Sequence, residues 1–324
     1  MAAAIRKRPA LEGACPAVAG GKRARYQFGS IYDYEKLEVL GEGSYGVVVK
    51  ARDRRTGETV AVKWIKSGDG GQGAPGLRAV AREARCLAAC RGHPSIVQVK
   101  DVAADEHTGD VFIVMEFVGP SLQSFITRRF SEAETRSCMR QLLRGAEKMH
   151  DTGTIHRDLK PDNILVGPGG ALKICDLGMA TPMNPAGTPY PEECVCTLWY
   201  RAPELLMGFR CYGPAVDMWS LGCVMAELLT GKALFEDADT EDDMLAKVLD
   251  LRYEMTSTEI QAFEDLPELS EAGREVLCGL LSFEPEERLT AADALNHRWF
   301  AEEDAPTSPA LWYLQDRRSF FTFL

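Results

Sequence analysis

The sequence predicts an α+β protein of two lobes, the first mostly β-sheet with one helix and the second mostly α-helical. Its 324 residues are too many for one small core and suit two packed lobes. The first third of the chain holds short β-branched runs between glycine-rich or charged turns, whereas apolar residues at helical spacing dominate the rest. We therefore predict a disordered basic tail, two lobes and a C-terminal extension at residues 1–33, 34–118, 119–300 and 301–324.

Strand and helix positions follow from the same periodicities and turn residues. The predicted strands are Tyr34–Gly41, Val47–Asp53, Thr59–Trp64, Val97–Val102, Val111–Phe117 and Ala171–Cys175. The predicted helices are Leu77–Ala89, Ser121–Arg129, Glu132–Thr152 and Ala215–Thr230, with several more between Asp242 and Trp299.

The composition is that of an ordinary soluble globular protein, with 45% apolar and 26% charged residues. Because no apolar run approaches the roughly 20 residues of a membrane span, we expect no membrane association. The ten cysteines form no CxxC pair. This scatter favours free thiols in a reducing intracellular compartment and argues against a metal cluster.

The net charge of −11 is distributed unevenly along the chain. Residues 1–25 hold six basic side chains against Glu12, a charge of +5, which leaves −16 for the remainder. A nucleic-acid-binding face is therefore not expected on the folded part. Two basic clusters in the tail, Arg6–Arg8 and Lys22–Arg25, are similar to a two-part nuclear localisation signal, with a solvated tail that binds no receptor as the alternative. The expected location is nuclear, cytoplasmic or both.

A glycine-rich segment near the start of the first lobe matches the pattern GxGxxGxV, in the run Gly41-Glu42-Gly43-Ser44-Tyr45-Gly46-Val47-Val48. A dinucleotide-binding fold would need a helix after the glycines. A β-branched strand follows here instead. This order predicts a hairpin lid whose backbone amides approach phosphate groups, with an ordinary glycine-rich hairpin as the alternative.

A lysine on the third predicted strand extends this pattern. Lys63 ends the run Val60-Ala61-Val62-Lys63, where its ammonium group can hold the α- and β-phosphates of a nucleotide. Such a lysine needs a carboxylate to orient it, and Glu83 on the predicted helix of the first lobe is the best candidate. A lone Lys or Glu is usually a solvated charge, but the order and spacing after the glycine lid favour a functional pair.

The most specific motif is His156-Arg157-Asp158-Leu159-Lys160-Pro161-Asp162-Asn163, which matches the catalytic-loop pattern HRDLxxxN. Asp158 is predicted to accept the proton of a substrate hydroxyl and to orient its oxygen for in-line attack. Lys160 is predicted to neutralise charge on the transferred phosphoryl group. Asn163 is predicted to hold a magnesium ion, together with Asp176 of the later motif Asp176-Leu177-Gly178.

Two further motifs complete the series. Ala202-Pro203-Glu204 follows the Asp176 motif, and Pro285-Glu286-Glu287-Arg288 lies near the end of the second lobe. We predict a buried structural ion pair between Glu204 and Arg288, without a catalytic role.

Together these motifs resemble the eukaryotic protein kinase family across about residues 34–300. The segment Thr197-Leu198-Trp199-Tyr200-Arg201-Ala202-Pro203-Glu204 is similar to that of cyclin-dependent kinases, and the Gly/Ala-rich flanks are similar to those of plant F-type members. The resemblance implies a bilobal protein-kinase fold that uses ATP and Mg²⁺. It also implies phosphorylation of Ser or Thr before proline in protein substrates, among which the repeat tail of RNA polymerase II is a candidate.

The resemblance also assigns nucleotide contacts and regulatory positions. The implied cofactor-binding residues are Leu40, Gly41, Gly43, Gly46, Val48, Ala61, Lys63, Glu116, Val118 and Ser121, the last standing where a ribose-binding Asp is common. Met115 is the implied gatekeeper. Ser44 and Tyr45 occupy positions at which such kinases are switched off by phosphorylation.

Regulation is where the sequence departs from its resemblance. Glu192 replaces the activating threonine and carries less charge than a phosphothreonine. Arg82 and Arg157 are its expected partners, whereas Thr181 replaces the third arginine of the usual cluster. Thr188, which precedes a proline, is the alternative phosphosite.

The first-lobe helix also departs from the family pattern, because Leu77–Glu83 keeps only the final Arg-Glu of the cyclin-binding sequence PSTAIRE. A cyclin is therefore only a candidate partner alongside protein substrates. Two other functions compete with protein phosphorylation. One is a nucleotide-binding pseudokinase scaffold, although Lys63, Glu83, Asp158, Asn163 and Asp176 are all present. The other is a small-molecule kinase, against which the peptide-binding TLWYRAPE segment argues.

Overall fold

The computed structural model describes residues 28–301 apart from 44–45, 66–74, 193–194, 258–262, 264–265 and 267. The predictions made for the tail up to residue 27, for Ser44 and Tyr45, and for the extension after Ala301 therefore lie outside the described residues.

The described strands and helices follow one another along the chain in the order of two lobes. The strands are β1 (Gly29–Ser30), β2 (Tyr34–Gly43), β3 (Gly46–Asp53), β4 (Thr59–Ile65), β5 (Val99–Ala104), β6 (Val111–Glu116), β7 (Thr154–Ile155), β8 (Ile164–Val166), β9 (Leu172–Ile174) and β10 (Thr181–Pro182). The helices are α1 (Pro75–Ala89), α2 (Glu132–Asp151), α3 (Pro203–Leu206), α4 (Ala215–Thr230), α5 (Glu241–Thr256), α6 (Glu271–Leu280) and α7 (Ala291–Leu295).

The first lobe is a six-stranded sheet in the order β1-β5-β6-β4-β3-β2, with α1 packed against it. Val60 and Val62 alternate along β4 and bury one face of the sheet together with Val114. Ile113 and Met115 of β6 point to the other face and join the main core. This alternation places Lys63 on the same face of the sheet as α1, where its ammonium group contacts Glu83.

The second lobe is built around α4, whose residues from Val216 to Leu229 are all buried. A helix that is apolar on every side belongs at the centre of a core. It ends at Gly231, which adopts a left-handed conformation (φ 78°) and donates its N–H to the carbonyl of Glu227. The packing of α2 and α6 against α4 completes the helical lobe that the sequence predicts.

The predicted helix Ser121–Arg129 is wrong. The structure has only one 3-10 turn there, at Leu122–Phe125. The N–H of Phe130 bonds instead to the carbonyl of Leu228 in α4 at 2.7 Å, and the apolar side chains of the segment are buried in the core. Tertiary packing therefore outweighs the local helical pattern.

Two other boundaries differ from prediction. The strand predicted at Val97–Val102 begins at Val99, because the N–H of Val97 bonds to the carbonyl of Ile174 in the second lobe. Ordered structure also starts before Tyr34, since β1 pairs in parallel with β5. A Cβ at Gly29 would lie 2.3 Å from a carboxylate oxygen of Asp101, so a larger residue would displace a side chain that accepts a hydrogen bond from the Tyr34 hydroxyl.

Among the described residues, no helix combines the length and apolar character that a membrane crossing requires.

The predicted ion pair between Glu204 and Arg288 is confirmed. Two guanidinium nitrogens of Arg288 donate to the two oxygens of Glu204 at 2.8 and 3.1 Å. Both side chains are buried, at 0% exposure for Arg288 and 5% for Glu204. Arg288 also donates to the carbonyls of Ser282, Phe283 and Ala215, so the pair ties α3 to the start of α4 and to the segment after α6.

We predict that Glu204→Ala lowers the free energy of unfolding by about 3–5 kcal/mol, because it leaves a buried guanidinium without its counter-charge. Urea denaturation of the purified chain measures the change. Glu284→Ala is the control, since its pair with Arg252 is about half exposed and exposed pairs contribute at most about 1 kcal/mol. Equal losses for the two variants would contradict the prediction.

Candidate active site

The catalytic loop is held by one buried carboxylate from α4. Asp217, 1% exposed, accepts the backbone N–H groups of His156 and Arg157 at 2.9 and 2.8 Å. It also accepts a hydrogen bond from Nε2 of His150 at 2.9 Å. Burial raises the pKa of this carboxyl, but the bonds from His150 and the loop outweigh it and leave the pKa below its usual range.

These bonds maintain an unusual backbone. Arg157 has a φ of 68°, in the left-handed region that non-glycine residues rarely adopt. The ring of His156 follows the turn, donating from Nε2 to the carbonyl of Cys175 and accepting the N–H of Asp158 at Nδ1. Through these two bonds the His156 ring connects Asp158 to Cys175, the residue before Asp176.

The carboxylate of Asp158 has two sets of partners. Its Oδ1 accepts the N–H and the hydroxyl of Thr197 at 2.9 and 2.8 Å. Its Oδ2 accepts a hydrogen bond from Nδ2 of Asn163 at 3.0 Å and lies 3.3 Å from Nζ of Lys160. Lys160 also donates to the Thr197 hydroxyl at 2.6 Å. The carboxylate is thus oriented from both sides at the start of the peptide-binding segment.

The predicted pair of Lys63 and Glu83 is confirmed. Nζ of Lys63 lies 2.8 and 2.9 Å from the two Glu83 oxygens and 2.7 Å from Oδ1 of Asp176. Burial alone would lower the pKa of Lys63, but the two carboxylates raise it above its usual value. Burial likewise opposes the ionisation of Asp176, yet the charge and hydrogen bond of Lys63 bring its pKa below the usual range. The ammonium group and the Asp176 carboxylate therefore stay charged at neutral pH.

The motif after Asp176 supports this geometry. Asp176 itself has a left-handed φ of 58°, and its Oδ1 accepts the N–H of Gly178. Leu177 is fully buried beneath α1 and anchors the motif in the apolar core. A Cβ at Gly178 would lie 3.1 Å from Asp176 Oδ1 and 3.2 Å from Nζ of Lys63, so a small residue suits the site.

The residues predicted to bind the nucleotide lie on strands of the first lobe and in the segment that leads to the second lobe. Leu40 on β2 is 45% exposed, whereas Met115 of β6 is buried, and its role as gatekeeper stays a prediction. Partly exposed side chains lie on β3, on β4, and in and just after the segment that links the lobes; they are Val48, Ala61, Val118 and Ser121. Only glycine fits at position 46, where a Cβ would lie 1.8 Å from the carbonyl oxygen of Trp64.

Open space borders Gly41 and Gly43, since a Cβ added at either residue would have no atom within 4 Å. Small residues at such positions leave the backbone accessible to a ligand. The side chain of Glu116, in contrast, is bonded to protein groups. Its Oε1 accepts hydrogen bonds from the N–H of Gln98 at 2.9 Å and from Lys173 at 2.8 Å, which ties the link between the lobes to β9.

Asn163 and Asp176 provide the oxygen ligands that Mg²⁺ prefers. Because the amide nitrogen of Asn163 is used by the carbonyl and carboxylate of Asp158, the amide oxygen is the atom turned elsewhere. Two protein oxygens leave most of an octahedral shell to phosphate oxygens and water. The donor set therefore fits a magnesium ion brought in with a nucleotide. No group of three or more His, Cys, Asp and Glu side chains able to hold a metal is found within the described residues.

Glu192 meets both of its predicted partners. Its two oxygens lie 3.3 Å from Nη1 of Arg82 on α1 and 3.1 Å from Nη1 of Arg157 in the catalytic loop. Burial raises the pKa of Glu192, but the hydrogen bond and charge of Arg157 outweigh it, so the pKa is lowered overall. The Glu192 carboxylate is thus ionised at neutral pH. Thr188, the alternative phosphosite, is exposed on the same segment.

Several contacts at the site were not predicted from the sequence. The bonds of Thr197 to Asp158 and Lys160 could have been suspected, since Thr197 opens a recognised motif. The support that Asp217 gives to the catalytic loop crosses about 60 positions of sequence and carries no local signal.

Similarity to known proteins shows the family of the chain. The profile of the protein kinase domain matches residues 34–300. A protein of Oryza sativa subsp. japonica, named as cyclin-dependent kinase F-2, is 46% identical over 304 residues, covering 84% of this chain and 91% of that protein. Cyclin-dependent kinase G-1 of Oryza sativa subsp. indica is 39% identical over 326 residues, or 89% of this chain, which spans only 46% of that longer protein.

Among solved structures, the chain is similar to one in the CAK complex from Chaetomium thermophilum bound to ATP-gamma-S. The TM-score is 0.74 at 28% identity, covering 86% of this chain and 94% of that one. The chain belongs to the protein kinase family. Within that family it is one of the cyclin-dependent kinases, a serine/threonine protein kinase that uses ATP.

We predict that Glu83→Gln lowers kcat for peptide phosphorylation by roughly tenfold to a hundredfold, because Lys63 loses the charged partner that orients it toward the phosphates. Steady-state rates at saturating ATP measure the effect. Glu254→Gln, an exposed change on α5, serves as the matched control. A Glu83→Gln enzyme as fast as that control would show that the pair is not needed for transfer.

Proposed function

We propose that this kinase phosphorylates Ser or Thr residues that are followed by proline. Asp158 accepts the proton of the substrate hydroxyl and holds its oxygen in line with the γ-phosphorus. Lys160 compensates charge on the transferred group, and Lys63, oriented by Glu83, holds the α- and β-phosphates. The observation that carries the proposal is the carboxylate of Asp158, which Thr197 and Asn163 orient from opposite sides.

Magnesium is part of this proposal. Asn163 and Asp176 would hold the ion, which would draw the phosphate oxygens together and offset their negative charge. The protein's own contribution is to keep Asp176 ionised beside Lys63 and to bond the Asn163 amide nitrogen to Asp158, which leaves the amide oxygen as the ligand atom.

The preference for proline is supported by Cys196, the residue before Thr197. Cys196 has a left-handed φ of 71°, and its carbonyl oxygen accepts a hydrogen bond from Nη2 of Arg201 at 2.9 Å. We expect the left-handed backbone and this bond to turn the carbonyl toward Arg201 and away from the N–H of the residue after the phosphoacceptor. Proline has no N–H, so it loses nothing at this position, whereas any other residue would bury an unsatisfied donor.

We predict that a Ser-Pro peptide is preferred over a matched Ser-Ala peptide by roughly fivefold to 150-fold in kcat/KM, since an unsatisfied buried donor costs about 1–3 kcal/mol. Arg201→Met frees the Cys196 carbonyl and should bring the ratio toward one, whereas Arg252→Met, an exposed change on α5, should preserve it. Initial rates with radiolabelled ATP measure both ratios. Equal kcat/KM for the two peptides in the wild type would refute proline selection.

Asp158→Asn is the chemical control for that experiment. Loss of the base should lower transfer by about a hundredfold to ten-thousandfold. Asp162→Asn changes an exposed carboxylate in the same loop and should leave the rate near that of the wild type.

We also propose that Glu192 supports activity without phosphorylation of the activation segment. It joins Arg82 of the first lobe to Arg157 of the catalytic loop, as a phosphate would, although with less charge. Because its pKa is lowered, the stabilisation it contributes is complete above the usual glutamate range and is lost only as the pH falls through the lowered value.

We predict that Glu192→Ala lowers the basal activity of unphosphorylated enzyme by roughly tenfold, the usual size of coupling between such sites. Glu192→Thr should be equally weak until its threonine is phosphorylated. Peptide phosphorylation by enzyme shown by mass spectrometry to carry no phosphate is the measurement. Basal activity in Glu192→Ala equal to that of the wild type would end the proposal.

A cyclin-class partner and a nuclear location complete the proposal. The names of the relatives support a cyclin, and Arg78, Ala81 and Arg85 form the exposed face of α1 on which it would dock. A cyclin that binds there should raise the activity of the purified chain. The basic clusters within residues 1–25 support import into the nucleus, and a fluorescent fusion with and without those residues tests this.

A further inference from the structure

A second attachment holds the activation segment immediately before Glu192. Tyr190, 2% exposed, stacks on Tyr212, with ring centroids 4.5 Å apart and ring planes inclined by 28°. The Tyr190 hydroxyl accepts the N–H of Asn184 at 2.9 Å, which closes the segment back on itself. Tyr190 is therefore a buried aromatic anchor within a segment whose residues 185–189 are exposed.

Arg210 holds the same part of the activation segment by hydrogen bonds to its main chain. The N–H of Tyr190 donates to the carbonyl of Arg210 at 2.8 Å. In return, Nε and Nη2 of Arg210 donate to the carbonyls of Tyr190 and Pro191 at 2.9 and 2.7 Å. A guanidinium group is suited to this because its planar fork presents several donors at fixed angles. We call Tyr190, Arg210 and Tyr212 the Tyr190 clamp.

The clamp also contacts the catalytic loop through Arg157. The guanidinium of Arg157 lies 5.7 Å from the Tyr190 ring centroid, and its Nη1 donates to the Tyr212 hydroxyl at 3.1 Å. That side chain is only 1% exposed, and the carboxylate of Glu192 that faces it is shared with Arg82. Aromatic faces and hydroxyl oxygens attract a buried cation without adding a full charge. The Tyr190 clamp thus adds to the stabilisation of the Arg157 cation, which Glu192 alone stabilises with less charge than a phosphate would.

We infer that Tyr190 is a positioning residue for phosphoryl transfer, acting with Arg210 and Tyr212. The clamp holds the activation segment and the guanidinium of Arg157 in place, and Arg157 immediately precedes the base Asp158. The inference rests on the proposed phosphoryl transfer and stands beside the role of Glu192, since both explain how the segment is held without a phosphate.

The test compares Tyr190→Ala and Tyr190→Phe with Tyr253→Ala, a matched tyrosine that is 64% exposed on α5. We expect Tyr190→Ala to lower kcat for a Ser-Pro peptide by about tenfold to a hundredfold, because small misplacements at a reacting centre cost this much. ADP affinity should stay within about twofold of the wild type, since nucleotide contacts are not altered. Hydrogen exchange of residues 184–192 should speed up by at least about tenfold as local opening becomes easier.

The other variants separate a positioning role from a merely structural one. Tyr190→Phe keeps the ring and should retain most of the kcat, and Tyr253→Ala should match the wild type. A Tyr190→Ala enzyme equal to Tyr253→Ala in kcat and exchange would overturn the inference, as would a Tyr190→Phe enzyme as slow as Tyr190→Ala. If Tyr190→Ala does not fold, Tyr212→Phe decides, since it removes only the hydroxyl bonded to Arg157. A wild-type kcat and exchange rate in that variant would overturn the inference.

The two proposals fail separately. Exchange of residues 184–192 reports on the clamp even where no transfer is measured. A slow Tyr190→Ala enzyme beside a fully active Glu192→Ala enzyme would leave the clamp standing and remove the role of Glu192. A fully active Tyr190→Ala enzyme beside a slow Glu192→Ala enzyme would overturn the role of the Tyr190 clamp and leave that of Glu192.

Discussion

The catalytic centre depends on a single buried interaction, the set of hydrogen bonds to Asp217. Its carboxylate is nearly inaccessible to water and accepts the N–H groups of His156 and Arg157 together with Nε2 of His150. Left-handed backbone at a non-glycine residue costs about 1–3 kcal/mol and persists only when its surroundings enforce it. Asp217 lies on α4, whose residues from Val216 to Leu229 are all buried. The stability of the core and the shape of the catalytic loop are therefore linked.

Two neighbouring residues of α1 connect the lysine site of the first lobe to the activation segment. Glu83 holds Lys63 beside Asp176, whereas Arg82, one position earlier, contacts Glu192 on the activation segment. Any movement of α1 therefore changes the nucleotide site and the activation segment together. This arrangement explains how a partner that docks on the exposed face of α1 would act on catalysis without contacting either substrate.

Charge balance distinguishes this kinase from the family pattern that its sequence resembles. The activation segment is joined to Arg82 and Arg157 by one carboxylate, with Thr181 in place of a third arginine. The stacked rings of Tyr190 and Tyr212 and the backbone bonds of Arg210 lie against the same segment. A buried cation needs its counter-charge and its remaining donors satisfied. The proposed role of Glu192 depends on this arrangement, in which aromatic and backbone groups meet part of that demand.

The order of amino acids was enough to predict the two-lobed fold, the helix Ala215–Thr230 and the pairings of Lys63 with Glu83 and of Glu204 with Arg288, because each follows from a local period or an ordered motif. It did not reveal the extended turn at Ser121–Arg129, where burial against α4 outweighs the helical pattern. Nor did it reveal the bonds from Asp217 or the stacking of Tyr190 on Tyr212. Those contacts join residues far apart in sequence, and only the packing of the chain brings them within bonding distance.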